Sequence, residues 1–336
     1  MVLAQAGGKP RRVLDVVRAG YGLSVSDPEW LRSLLETSSA LLDRGEGLMA
    51  YTYDASTRAV RFGEFATTGR ASASFERLAE CVARQDAEVQ YRIYRTGGAF
   101  GSTSQLLGLG ARLEQAPFFV ERFHPIGVRD FLTLNATDPT GMGLALCAPV
   151  RAISEPSAST RAAWARAAAH LAAAFRLRRG LGTTSPMVSA EAILTPAGRI
   201  EHVEEGASSR RARSSLRRAT KILEATTQRK ASAPDAMHAW TALVEGKWSM
   251  IDCFDSDGKR FIVARRNDPR IPSQLALSEQ EGQIIAYARL GHGMKLIAYE
   301  LGLPLSTVAV LLERGMKKLG LRSRQELVSM LGERDG

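Results

Sequence analysis

In "DPEWLRSLLETSSALLD" (Asp27–Asp43) apolar residues return every three or four positions, placing Trp30, Leu34, Leu35, Leu41 and Leu42 on one broad face. That period predicts an amphipathic helix. The pattern then switches to alternation. "GLMAYTYDASTRAVRFGEFATT" (Gly47–Thr68) sets Tyr51 and Tyr53 on one side of the chain and predicts strand, turn, strand. A helix is expected at about 73–87. Asp130–Val150 reads as a second hairpin, turned by Asp138-Pro139-Thr140-Gly141, where Pro and Gly supply the turn dihedrals. Ser159–Arg179 is alanine-rich and therefore helical. Trp164, Leu171 and Phe175 form a single apolar stripe on it, with arginines expected over the remaining surface.

This order (helix, hairpin, helix, sheet, long closing helix) resembles a GAF-like or PAS-like sensor domain in architecture, without a diagnostic motif. "RGLGTTSPM" (Arg179–Met187) reads as a linker. A smaller α+β unit follows. Glu191–Glu205 is a hairpin turned at Pro196-Ala197-Gly198. Ser208–Lys230 is a basic helix, and 234–246 a short helix around Trp240. Lys247–Asn267 is a further hairpin, turned at Asp255-Ser256-Asp257-Gly258. Its pattern is a compressed PAS-like one. After the linker "DPRIPSQ" comes an all-helical segment. The expected organisation is an α+β sensor domain at 1–180, a small PAS-like module at 188–268 and a four-helix domain at 275–336.

In the last segment Ser278 and Glu281 have capping-box spacing, so each can bond the other's backbone N–H at a helix start. Ile284, Ile285 and Ala288 make the buried stripe of that helix. "KLIAYELGLPLSTVAVLLERGMKKLG" then reads as two helices with a turn between them. Ala298 is the small residue at their crossing. Gly302 can take positive φ where the first helix stops. Ile297, Leu301, Leu303, Val308 and Leu311 occupy the apolar positions. "LRSRQELVSML" supplies a fourth helix, capped by Ser323 with Glu326 three residues on.

Leu277–Leu327 as a whole resembles the DNA-binding domain of LuxR/GerE-type transcriptional regulators. The residues that carry the likeness are Glu281, Lys295, Ile297, Ala298, Thr307, Val308, Lys318-Leu319-Gly320, Ser323-Arg324 and Glu326-Leu327. The resemblance implies that the third helix enters the major groove. Its outward residues would be Ser306, Ala309, Val310 and Glu313. Thr307, Arg314, Lys317 and Lys318 would reach the DNA backbone, as would Lys295, Arg322 and Arg324. Leu327, Met330 and Leu331 on the fourth helix would form a dimer face. The sequence departs from the family pattern at Leu311, a position usually histidine, and at Ala309 and Val310, often polar. Base readout by hydrogen bonds is therefore thin. Methyl groups can meet thymine methyls, and Glu313 can accept from cytosine N4.

Charge bears on this reading. The chain carries a net +10 over 336 residues. Ser159–Arg179 holds five arginines and no acid, and Ser208–Lys230 eight basic residues against one acid, +7. From Leu275 onward eight basic residues face seven acids, a net of +1. A near-neutral reader gains little from counterion release. Dimerisation, or phosphate contacts from the 210–230 stretch, is the expected supplement. A solvated charged face is the plainer reading of that stretch, and an acidic partner such as RNA polymerase another.

No metal, cofactor or catalytic constellation is legible. His124, His170, His202, His238 and His292 are isolated, with His292 expected at the surface. The glycine-rich "RTGGAFGSTS" (Arg95–Ser104) lacks the Gly-Lys-[Ser/Thr] ending of a phosphate loop and reads as a flexible loop, with a ligand lid as the alternative. Trp30, Tyr51, Tyr53, Phe62, Phe65 and Phe131 read as core rather than as the wall of a ligand cavity. Three scattered cysteines point to a reducing cytoplasm. No apolar run reaches the about 20 residues of a membrane span. Two functions stay open. One is a non-enzymatic regulator that binds double-stranded DNA as a homodimer under control of a small molecule or partner. The other is an interaction protein whose degenerate helix-turn-helix binds a protein instead.

Overall fold

The computed structural model describes residues 13–57, 59–84, 87–182, 190–227, 247–254, 258–269 and 277–329. The first sheet contains β1 (Met49–Asp54), β2 (Arg61–Thr67), β3 (Phe100–Ser102), β4 (Asp130–Thr137) and β5 (Met142–Val150), in the order β2-β1-β5-β4-β3, every pair antiparallel. The two-residue period of the strands sorts their side chains. Leu48, Ala50, Leu132, Leu134, Leu144 and Leu146 join a cluster with residues of α1 (Val13–Gly20), α2 (Asp27–Leu42) and α7 (Ala158–Leu181). Met49, Tyr51, Tyr53, Phe131, Ala145 and Cys147 face the other way. They pack with Phe75 of α3 (Ala71–Arg84), with Tyr94 just after α4 (Ala87–Tyr91), and with Phe119 of α6 (Pro117–Arg122). With both faces covered, β4 is buried at every position and β5 at all but its first, and their sequences are correspondingly apolar. The two expected hairpins, the helix at Asp27–Asp43 and the helix near 73–87 are all present.

Two expectations change here. Arg95–Ser104 is not a flexible loop. One helical turn (Arg92–Thr96) leads into edge strand β3 and α5 (Thr103–Leu106), and residues 99–104 are buried. The Asp130 carboxylate holds this corner, accepting from the Ser104 hydroxyl at 2.7 Å. The aromatic residues also divide. Trp30 lies on the α7 side, its indole N–H donating to the Gly20 carbonyl at 2.9 Å and its ring stacked on Phe175. Tyr51 and Tyr53 lie on the opposite face. Their hydroxyls meet Tyr94 at 3.2 Å and Thr137 at 2.5 Å, so both are paired inside the core. Phe65 is exposed.

The second sheet has order β7-β6-β9-β8, from β6 (Ala192–Leu194), β7 (Ile200–Val203), β8 (Trp248–Phe254) and β9 (Arg260–Arg266). One face, with Leu194, Trp248 and Ile262, packs on Ala212, Leu216 and Leu223 of α8 (Arg210–Thr227). The other, with Ile251, Cys253 and Val263, packs on Leu177 and Leu181 at the end of α7. Both expected hairpins and the basic helix form. The helix expected at 234–246 and the turn residues 255–257 lie outside the described residues.

The four C-terminal helices are α9 (Glu279–Arg289), α10 (Met294–Leu301), α11 (Leu305–Lys318) and α12 (Arg324–Ser329). They close on their own apolar cluster and touch α7 through α10. The long helix α7 therefore meets everything. Residues 164, 167, 168, 171, 172 and 175 face the first sheet, 177 and 181 the second, and Ala169 and Ala173 face Leu296 and Tyr299 of α10. The expected single stripe is replaced by burial almost all round. Two arginines turn inward. Arg176 donates to the Asn267 side chain at 3.1 Å. Arg178 donates to Asp27 at 2.5 Å and lies over the Trp30 ring.

Alanine at the centre of α7 sets how closely its neighbours approach. Ala168, 1% exposed, has no room for three more carbons, and overpacking a filled core costs about 1–3 kcal/mol. Ala168→Leu is expected to lower the unfolding free energy by that amount, seen as a lower denaturant midpoint at unchanged slope, measured by urea unfolding followed by far-UV circular dichroism. An unchanged midpoint would show that the helix is loosely packed.

Candidate nucleic-acid interface

The interface is built from the start of α9 onward. Ser278 and Glu281 form the expected capping box, the Ser278 amide donating to Glu281 at 2.8 Å and the Glu281 amide to the Ser278 hydroxyl at 3.3 Å. The Glu281 carboxylate also receives Lys318 Nζ at 2.7 Å, which fastens the end of α11 to the start of α9. Lys318, a candidate phosphate contact, is thus engaged within the domain. Lys318 first and the Ser278 amide next hold the Glu281 carboxyl below its ordinary range.

Helix α10 stops at Gly302, which takes φ 63° as expected, and the amide of Leu303 donates to the Ala298 carbonyl at 3.0 Å. The chain turns by 108° into α11, inside the range of about 90–120° for a helix-turn-helix. Ile297, Leu301 and Val308 are buried as expected, while Leu303 and Leu311 are half-buried against the same cluster. One close approach inside the domain is not revealed by the apolar pattern. At Gly315 of α11 an added Cβ would lie 2.9 Å from Ile285 of α9. A glycine inside a helix costs about 0.5–1 kcal/mol relative to alanine, so its presence there was the available signal.

His292 is a correction. It is 5% exposed rather than superficial, stacked on Tyr287, with Nδ1 3.0 Å from the Glu300 carboxylate. Its carbonyl accepts from Arg324 Nη2 at 2.6 Å, which ties α12 to the loop between α9 and α10. Arg324, another candidate phosphate contact, is half-buried in that role. Leu327, a candidate dimer residue, is 1% exposed in the domain's own core and is not available to a partner in this fold. Met330 and Leu331 lie outside the described residues. The fourth-helix cap forms, with Ser323 accepting from the Glu326 amide at 3.1 Å.

What remains outward on α11 is a coherent face. Ser306, Val310, Glu313, Arg314 and Lys317 are exposed, Ala309 and Thr307 half-exposed. The spacing of 306, 310, 313, 314 and 317 places them along one side of the helix. Leu305 and Val310 keep 43% and 47% of their surface in solvent. Arg322 and Lys295 are exposed too, Lys295 at the first turn of α10. A helix of this kind can enter a wide groove, offering methyl groups and one carboxylate to bases and two cations to phosphates.

The domain docks on α7 through α10. The Tyr299 hydroxyl lies 2.5 Å from His170 Nε2, with the rings nearly perpendicular. Burial pushes the Tyr299 and Tyr287 hydroxyls well above their ordinary range, with Arg166 opposing at Tyr299 and Arg176 at Tyr287. On the second sheet, the stripe Arg210, Arg213, Arg217, Arg218 and Lys221 lies on the exposed side of α8, away from Ala212, Leu216 and Leu223. Among the described residues no cluster of histidine, cysteine or carboxylate could hold a metal, and no single helix is long and apolar enough to cross a membrane.

Residues 275–331 match the family model described as bacterial regulatory proteins, luxR family. No curated protein matches the chain. The match supports a DNA-binding transcription regulator and covers the helices just described, leaving the two sheets outside it.

The Glu281 pair generates a pH prediction. A carboxylate held below its ordinary value of 4.5 adds stability that is complete above that value and is lost as pH falls through the lowered one. Glu281→Gln is expected to be less stable than the parent at neutral pH, with the gap narrowing as pH falls below 4.5. Unfolding titrations across that range check it, and a gap independent of pH would exclude the ion pair as its source.

Proposed function

We propose that the protein is a sequence-specific DNA-binding transcription regulator. Residues 275–336 read the major groove through α11. Residues 1–180 and 188–268 are sensor modules, the first GAF/PAS-like and the second PAS-like. The observation that carries this reading is the outward face of α11, which stays open to solvent while α9, α10 and α12 hold it from behind. The five-stranded antiparallel sheet flanked by helices supports the sensor assignment, since such a layer can enclose a ligand or transmit a partner's binding. A homodimer belongs to the reading, its operator an inverted repeat. With Ala309 and Val310 at the groove, base preference rests on thymine methyls and on Glu313 toward cytosine.

One observation favours a second reading. Leu305 and Val310 are exposed apolar residues on a domain of net charge +1, as suits a face that meets a protein. That reading makes the chain a regulator acting through a protein partner.

Selection of sites from random duplex DNA with the full-length protein separates the two. The expected result is an enriched inverted repeat, bound less tightly by Arg314→Ala/Lys317→Ala at every sequence. The double variant's log–log salt slope should be shallower by about 2, each neutralised phosphate adding about 0.9 to it. Lys318→Ala is the wrong choice, because it also breaks the Glu281 pair. No enriched sequence would sink the DNA reading and leave the protein-partner one.

A further inference from the structure

A cleft opens where α7 and β3 approach the start of α10. Its volume is about 570 Å³, within the about 300–1,000 Å³ of small-ligand sites. Phe100, Leu296 and the Tyr299 ring make an apolar floor and wall, with alanines of α7 between them. Three cations, Arg161, Arg166 and Lys295, line it, and no carboxylate among the described residues does. Arg166 Nε is buried without a hydrogen-bond partner among the described residues. Such a group costs free energy unless an acceptor reaches it. Arg161 spends one nitrogen on the Pro156 carbonyl at 2.6 Å and keeps the rest of its fork. The first amides of α10 add their positive end, since Gly293 gives that helix no side-chain cap.

We propose that this cleft binds a small organic anion with an apolar body, of the aromatic or medium-chain carboxylate class. The anionic head pairs with Arg166 and Lys295, and the body lies against Phe100, Leu296 and Tyr299. An arginine fork meets a carboxylate in two parallel hydrogen bonds, which sets its orientation. A free phosphate would leave the apolar wall unused, and so would a DNA backbone. Because the ligand touches α7 on one side and α10 on the other, it binds most tightly when the two are together. It therefore favours the docked arrangement by its difference in contact between docked and undocked states.

The site is tested on the full-length protein with anilinonaphthalene sulfonate, an aromatic body carrying one anion, followed by fluorescence. The expected result is saturable binding of about one probe per chain, displaced by octanoate and not by inorganic phosphate at equal concentration. Arg166→Ala should weaken binding by about tenfold or more, the loss expected for a charge-assisted hydrogen bond. Ala162→Trp, at an exposed position of α7 beside the cleft, should block it, and this variant decides alone if Arg166→Ala fails to fold. Unaltered binding in Ala162→Trp, or no saturable binding in the parent, overturns the proposal. Displacement by phosphate as effective as by octanoate overturns the apolar requirement and leaves a bare anion site. If Ala162→Trp and Arg166→Ala leave the probe in place and weaken duplex DNA equally at all sequences, the cleft is a backbone contact and the small-molecule site is wrong.

Discussion

The structure depends on one helix being thin. α7 is 24 residues long, and its middle is a run of alanines broken by His170 and Leu171. Ala167, Ala168, Ala169, Ala172, Ala173 and Ala174 are all at or below 5% exposure. An alanine helix can be approached closely from every side, because no side chain holds a neighbour away. The first sheet with α1 and α2 takes one side, the second sheet the far end, and α10 a third. A residue larger than alanine at 168 or 172 would push those neighbours apart, whatever its hydrophobicity.

Polar groups then decide how the three parts are tied to this hub. Arg176 leaves α7 and reaches Asn267 at the end of β9, whose amide donates back to the Ala173 carbonyl at 2.8 Å and to Ser249 at 2.7 Å. Asp138, in the turn between β4 and β5, stands 3.8 Å from the same guanidinium. Both partners of that pair are nearly buried, so each depends on the other and on its hydrogen bonds for compensation. The second sheet is thus fixed to α7 by a network as well as by Leu177 and Leu181. The C-terminal helices have less. Leu296 and Tyr299 cover two alanines, the Tyr299–His170 and Tyr287–Arg176 contacts add direction, and Gly291 lies close against the Thr96 backbone. The basic cleft lies along this contact.

Local pattern was legible in the sequence, and long-range neighbours were not. Trp30, Leu34 and Leu35 declare a helix by period alone, Asp138–Gly141 a turn by residue type, and Ser278 with Glu281 a cap by spacing. All three signals live within a few residues of chain. The helix-turn-helix was legible for the same reason, since Gly302, Ile297 and Val308 are constrained by each other. The misses share an opposite cause. His292 looks superficial until Glu300 and Tyr287 are folded around it. Lys318 and Arg324 look free until Glu281 and the His292 carbonyl come within reach. Leu327 is equally plausible as core or as dimer face from its own helix. Alanine is the extreme case, because it carries too little hydrophobicity to mark a buried face, and the crowding around α7 comes from elements far along the chain.

The same logic redistributes the charge. The five arginines of α7 suggest a basic surface, yet Arg176 and Arg178 are spent inside the fold, the latter on Asp27, the Gly22 and Val25 carbonyls and the Trp30 ring. Arg161 and Arg166 face the cleft beside α10. Within the C-terminal domain Lys318 pairs with Glu281 while keeping 44% of its side chain exposed, and Arg324 reaches the His292 carbonyl. The outward face of α11 keeps Arg314 and Lys317 against Glu313, a small net charge for the phosphate contacts proposed for it. On the proposed DNA reading, electrostatic attraction to a duplex, which supplies most non-specific affinity, would then come from elsewhere in the chain. α8 is the element with charge to give. Its Arg210, Arg213, Arg217, Arg218 and Lys221 lie exposed along one groove, and its one acid, Glu224, is turned to Arg260 at 2.6 Å. Base choice and affinity would thus sit on different elements, joined through α7.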